Sequence, residues 1–302
     1  MSFLRALGWK TLPADLYASA WQNHGGGVIT HPRVLEFIAE ETGCRPAFYG
    51  KWDKQGEPLA AMATWGNYLA GDHDAQVHFG IDARCDFGVP EIILPLSAGF
   101  RGAIGFKTRY LSPLSAPQVS NATLKLNKRW LCLAKGLGPD GLASSTCKRR
   151  RTQARVWERD GGEIRRIDQF TPAELAAVYA DVFQRRWNKP HHTLATLPRF
   201  FEALFPLMTG HVALMNGEPA AYQLLLTARS ARCYAVEYIN GGYDHQWEHL
   251  SPGNVVTWLN LSACWQQSQD WQIPLRYSFG RNYHQYKKDW AIETHMARTI
   301  SW

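Results

Sequence analysis

Three groups of residues have types and spacings that could do chemistry. The first is Glu237, in the strand-like run 232–239, where it shares parity with Cys233, Ala235 and Ile239. That alternation predicts a face with little water. A carboxyl on such a face has a raised pKa and suits the acceptance of a proton from an ammonium. His249 is a second candidate base, although a hydrogen-bonded structural histidine is the commoner case. The second group is Ser251-Pro252-Gly253-Asn254. Ser251 can cap and Pro252 can open a helix over 252–268, whose first-turn amides would favour an anionic group. The third is basic. Residues 148–166 hold eight basic and three acidic side chains, a net +5 of the chain's +7. Arg149, Arg150 and Arg151, supported by Lys148 and Arg155, are candidate phosphate ligands. RNA, phosphate or an acidic membrane surface would suit them. A solvated helix face is the alternative.

Other chemistries find little support. The six cysteines (44, 85, 132, 147, 233 and 264) show no C-x-x-C spacing, which argues against structural zinc and against a disulfide framework. A reduced, cytosolic setting follows. His191-His192 and His245 show no ligand-like partners and read as loop residues, so no metal is expected. Gly136 to Gly141 fits G-x-G-x-x-G literally. Pro139 removes an amide where a phosphate cradle needs one, and Pro-Asp-Gly is a turn signal, so a linker is predicted. Charge interrupts Met1 to Lys10, unlike a signal peptide. No run approaches the roughly 18 apolar residues that span a bilayer. Peripheral contact with the inner membrane stays compatible with these features.

The elements that must position these residues can also be read. With 302 residues, 45% apolar and 20% charged, the chain can bury a real core in one large or two ordinary domains. Gly56-Glu57-Pro58 recurs as Gly217-Glu218-Pro219, each between strand-like runs, as in a hairpin turn. Leu111-Ser112-Pro113 likewise echoes Leu250-Ser251-Pro252. Two similar modules are therefore expected, over 1–135 and 147–302, joined by a linker at 136–146. In the second, 147–160 reads as a helix closed by Gly161-Gly162. Its stripe carries Lys148, Arg151, Arg155 and Arg159. Glu163 to Ile167 reads as a short strand. Thr171-Pro172-Ala173-Glu174 is a capping-box start, and strands follow over 211–215, 220–227 and 232–239. In the helix 252–268, Val255, Trp258, Leu259, Ser262 and Trp265 form the expected inner stripe. Ile273, Leu275, Tyr277 and Phe279 then alternate as a strand with one buried face.

Leu250-Ser251-Pro252-Gly253, a helix, a strand ending Phe279-Gly280, then Tyr286-Lys287 and Trp290 resembles the C-terminal signature of the BioF-like acyltransferases of the GNAT superfamily and their FemABX relatives. Lys148 to Arg151 through Gly161-Gly162-Glu163 is similar to the basic helix that opens that domain. Together they cover about 145–292. The whole chain also resembles the macrophage-inducible (Mig-type) envelope family linked to antimicrobial-peptide resistance. The stretches that carry this are Thr30-His31-Pro32, Leu111 to Leu114, Asn216 to Pro219, Asn240-Gly241-Gly242 and His249 to Leu261. The resemblance implies an α/β (α+β) fold of two tandem GNAT-like modules, each a mixed, mainly antiparallel sheet flanked by helices. It implies an acyltransferase in which Lys287 stabilises the oxyanion beside its aromatic partner Tyr286. The Q/R-x-x-G-x-G/A pyrophosphate loop of acetyl-CoA enzymes is missing at Ser251 to Asn254. Fem-type transferases also lack it, so aminoacyl-tRNA is the implied donor, with acetyl-CoA as the alternative and no tightly bound cofactor. The implied acceptor is an amine on an envelope glycan, such as the lipopolysaccharide core, and the aminoacyl group could be alanyl. An acyl-CoA-dependent N-acyltransferase and a non-enzymatic RNA-, lipid- or partner-binding protein are the alternatives.

Overall fold

The computed structural model describes residues 7–125 and 127–300. The start of the charged segment, Met1 to Ala6, lies outside them. In chain order the first half comprises β1 (Lys10–Thr11), α1 (Ala14–His24), α2 (Pro32–Thr42), β2 (Ala47–Trp52), β3 (Pro58–Trp65), β4 (Tyr68–Leu69), α3 (His73–His78), β5 (Ala122–Thr123) and β6 (Trp130–Ala134). The second comprises α4 (Ser144–Arg159), β7 (Gly162–Arg166), α5 (Pro172–Trp187), α6 (Leu197–Leu204), β8 (Met208–Thr209), β9 (His211–Met215), β10 (Glu218–Arg229), β11 (Tyr234–Tyr243), α7 (Pro252–Asp270), β12 (Leu275–Arg281), α8 (Lys287–Trp290), β13 (Ala291–His295) and β14 (Arg298–Thr299).

Local chemistry sets many of these boundaries. Thr171 accepts the Glu174 amide and Glu174 returns to the Thr171 amide, so α5 starts on the expected capping box. Gly56 and Gly217 take φ of 89° and 80° and turn the hairpins β2–β3 and β9–β10, as their echo predicted. The second echo fails. Leu111 bridges Ile92 and Ala297 instead of opening a long helix. The Gly136–Gly141 linker has a packing reason. A Cβ on Gly136 would lie 2.6 Å from the Trp265 ring, and one on Gly141 would lie 1.8 Å from the Gly136 carbonyl oxygen.

A four-stranded antiparallel sheet runs β1-β2-β3-β4. The larger sheet runs β13-β6-β12-β11-β10-β9-β7, with β8 beside β10. All its pairs are antiparallel except β11–β12, which are parallel and joined through α7. Thus β6, ahead of position 135, belongs to the larger sheet. One apolar cluster runs from Trp9 and Trp21 through Tyr179 and Tyr222 to Ala297. The last strand returns to the first half, where Thr299 Oγ1 accepts the Thr108 amide. Among the described residues no helix is long and apolar enough to cross a membrane.

Two stripe expectations are corrected. The buried set of α7 is Pro252, Val255, Val256, Thr257, Asn260, Leu261, Cys264 and Ser268, because the helix is covered by the sheet and by α4 together. Trp258, Leu259, Ser262 and Trp265 are half-buried. In β12, Tyr277 to Gly280 are all buried, because this central strand is covered on both faces.

Candidate functional site

The site follows from how β11 and β12 part. They pair from Tyr234 with Leu275 to Glu237 with Ser278. A bulge then breaks the β10–β11 register at Ile239. Beyond Ser278, β12 pairs onward with β6 at Arg281 and Leu131. The gap between the strands opens into a cavity of about 380 Å³, within the usual size range of small-ligand pockets. Its walls are Tyr238 to Tyr243, Phe279 to Arg281, the start of α7, Arg186 and Trp187 from α5, and Gly88-Val89 from the first half. Gly242 is fixed by the close approach of α5. A Cβ there would lie 2.2 Å from the Val182 carbonyl oxygen.

Lys287 reaches this cavity from the first residue of α8. The residue is 8% exposed, and Nζ donates to the Phe279 carbonyl and, at 2.7 Å, to the Arg281 carbonyl. Both are on the end of β12, which leaves a third N–H for a ligand. Burial pulls its pKa down to about 8, with Cys132 opposing, so the ammonium persists at neutral pH. Tyr286 is on the same wall, beside Tyr238. Ser251, Gly253 and Asn254 also line the cavity. Ser251 does not cap α7 with its side chain. It takes a left-handed conformation (φ 53°), and its carbonyl accepts the Asn254 and Val255 amides. Pro252 has no N–H and the Asn254 amide is already taken, so the helix start offers fewer free amides than a full first turn would.

Other candidates are placed elsewhere. Glu237 is 6% exposed and lies outside the cavity wall. It accepts the Glu91 amide at 3.2 Å, and Arg276 clamps the Glu91 carboxylate. Burial and then the Glu91 charge lift the Glu237 pKa to about 8, against hydrogen bonds from Ser278 and the Glu91 amide. The raised pKa matches expectation, but at neutral pH the group already carries its proton. His249 is exposed, near Asp160 and off the cavity. In α4, Lys148, Arg149, Arg151 and Arg155 are exposed on the surface, away from the cavity wall. Arg150 departs from the phosphate reading. It is 3% exposed, 3.1 Å from Asp289 and 4.5 Å from the Trp290 ring centroid. It fastens α4 to the helical turn that carries Lys287.

The histidine pair has partners after all. His191 Nε2 lies 3.3 Å from Asp86, and His192 contacts the Asp82 carbonyl. Asp86, His191 and His192 each bring a ligand atom within 4.8 Å of the others, a spacing that could hold a metal ion. The Thr193 amide donates to His191 Nδ1. A metal on Nε2 would require the ring proton on Nδ1, where it would face the Thr193 amide, so this arrangement disfavours His191 as a ligand.

Sequence reasoning missed Arg186, Trp187 and His284. Arg185 and Arg186 look like ordinary dipole-complementing cations in a last helical turn. His284 sits on the cavity wall, where burial, Lys287 and Arg186 all push its pKa down, so the imidazole is neutral at pH 7.

The fold matches known structures at low identity. Aligned with the crystal structure of FemX, it covers 97% of both chains with a TM-score of 0.57 and 10% identity. The C-terminal domain of a putative lysylphosphatidylglycerol synthetase from Agrobacterium fabrum aligns over 96% of this chain and 91% of that one, with a TM-score of 0.51 and 10% identity. The architecture is therefore a mixed α/β fold shared with FemX and with that domain. No curated protein sequence matched. The Mig-14 family profile matches residues 31–298, and the chain belongs to the Mig-14 family.

Proposed function

We propose that this chain transfers an aminoacyl group, such as alanyl, from aminoacyl-tRNA to an amine on an envelope component, such as an amino sugar of the lipopolysaccharide core. The observation that carries this reading is Lys287, a buried ammonium held at the cavity wall by two carbonyls with one N–H to spare. Support also comes from a structural neighbour described as the C-terminal domain of a putative lysylphosphatidylglycerol synthetase.

In this reading the acceptor nitrogen attacks the ester carbonyl of the donor. The C–N bond forms, and the oxyanion takes the third Lys287 proton as a hydrogen bond. His284, neutral and on the same wall, accepts the proton that the attacking amine sheds. The C–O bond to the ribose breaks, and the same proton passes to the leaving hydroxyl. Glu237 does not serve as base here, since it is protonated and off the cavity. Lys148, Arg149, Arg151 and Arg155 would meet tRNA phosphates along α4.

The test offers tRNA charged with alanine or lysine, with de-acylated core sugar as acceptor. The expected outcome is an acceptor heavier by one aminoacyl group. Absence of transfer from any aminoacyl-tRNA, alongside turnover with acetyl-CoA, would overturn this reading in favour of an acyl-CoA enzyme.

A further inference from the structure

The cavity wall carries two guanidinium cations, Arg186 and Arg281, that form no ion pair among the described residues. Arg186 lays its guanidinium 3.8 Å from the Tyr243 ring centroid and 5.3 Å from that of Trp187. Its Nη1 is buried and meets no acceptor among the described residues. The adjacent Arg185, by contrast, is neutralised by both Asp181 and Asp244. Arg281 enters from the end of β12, 5.0 Å from the Tyr283 ring. The only carboxylate among the lining residues is Glu248. It already accepts from the Tyr243 hydroxyl and lies 3.6 Å from His245.

A guanidinium nitrogen that has lost its water without gaining an acceptor asks for an anionic oxygen. Its planar fork matches phosphate better than it matches a neutral group. Flat apolar surface stands beside it, as Trp187 is 37% and Tyr283 71% exposed. Exposed aromatics next to cations suit a base or sugar ring that carries a phosphate.

We infer that Arg186, aided by Arg281, forms a phosphate-ester subsite at the cavity mouth, with Trp187 and Tyr283 holding the ring that bears the phosphate. Arg186, Arg281, His284 and Lys287 line the same cavity, so the subsite adjoins the lysine. Its part in transfer rests on the proposed function, whereas its binding of a phosphate ester does not.

The experiment is calorimetric titration of the full chain at low salt with adenosine monophosphate, glucosamine 6-phosphate and inorganic phosphate. Adenosine and glucosamine are the phosphate-free controls. At least one ester is expected to saturate the protein and to bind about tenfold or more tightly than its control. Arg186→Met should weaken that ester by about tenfold or more, and Arg186→Lys by less, since it keeps the charge and loses the fork. Where Arg186→Met does not fold, Arg186→Lys and Arg281→Met carry the same comparison. A preference for the nucleotide assigns the subsite to a donor, and one for the sugar phosphate to an acceptor. No saturable binding, free phosphate binding as tightly as the esters, or variants that bind like the parent would overturn the subsite. Ester binding without transfer from any aminoacyl-tRNA defeats the donor reading alone. Transfer by Arg186→Met with an unchanged KM defeats the subsite alone.

Discussion

Lys287 and Glu237 show how burial moves two groups toward the same pH with opposite meanings. Lys287 is pulled down to about 8, so its cationic form is present at pH 7 and lost as pH rises through 8. With acceptor amine held in excess, kcat should therefore fall on the alkaline side around pH 8. Lys287→Met should lower kcat about 10²–10³-fold, the usual loss for one oxyanion donor, and flatten that limb. Equal pH profiles for the variant and the parent would remove Lys287 from the chemistry. Glu237 is pushed up to about 8. The unfolded carboxyl ionises near its ordinary value, and the folded one only near 8, so this group's contribution to stability declines from about pH 4.5 to 8. Glu237→Gln should raise Tm at pH 8 and leave it nearly unchanged at pH 5. A gain of the same size at both pH values would contradict this. The parity of Glu237 with Cys233 and Ala235 made its burial legible in the sequence. Its partner Glu91, 146 residues away, could not be read from any local pattern, so neither could its distance from the cavity.

At the scale of elements, the capping box of α5 and the Gly217 hairpin were legible because each rests on chemistry within a few residues, whereas the order helix–strand–lysine turn was carried by the family resemblance. The inner stripe of α7 was not legible, because cover from two sides widens the buried arc beyond what one amphipathic face predicts. Arg150 makes the same point. Four neighbouring cations of α4 face solvent as the charge pattern suggests, while Arg150 turns in toward Asp289 and Trp290, 139 residues on. Arg150→Met should destabilise the protein by roughly 1–2 kcal/mol, the scale of a largely desolvated cation–π contact. It should also slow transfer by loosening the Lys287 turn. Urea denaturation and kcat measured side by side check this, and unchanged kcat would confine Arg150 to stability. Gly242→Ala should be more disruptive, since α5 would have to move off β11 and carry Arg186 out of the cavity wall.

The whole molecule is held by a core continuous across both halves. The cavity takes Gly88-Val89 from one half and its lysine from the other. The concentration of charge in 148–166 was visible in the sequence, but the cavity walls come from segments scattered across some 200 residues and became apparent only in the fold. If Lys148, Arg149, Arg151 and Arg155 each neutralise one phosphate, log affinity for tRNA should fall with log salt at a slope near −3 to −4. Reversing Arg149, Arg151 and Arg155 to Glu should flatten that dependence markedly, and a slope unaffected by the reversal would place RNA elsewhere. The central claim is that an acyl group carried on RNA is transferred beside Lys287. Its most direct measurement is mass spectrometry of a de-acylated core sugar incubated with charged tRNA and either the parent protein or Lys287→Met. The parent should add an aminoacyl mass that is all but lost in the variant. An acceptor left unmodified by the parent with every aminoacyl-tRNA, or modified equally by both proteins, would contradict that claim.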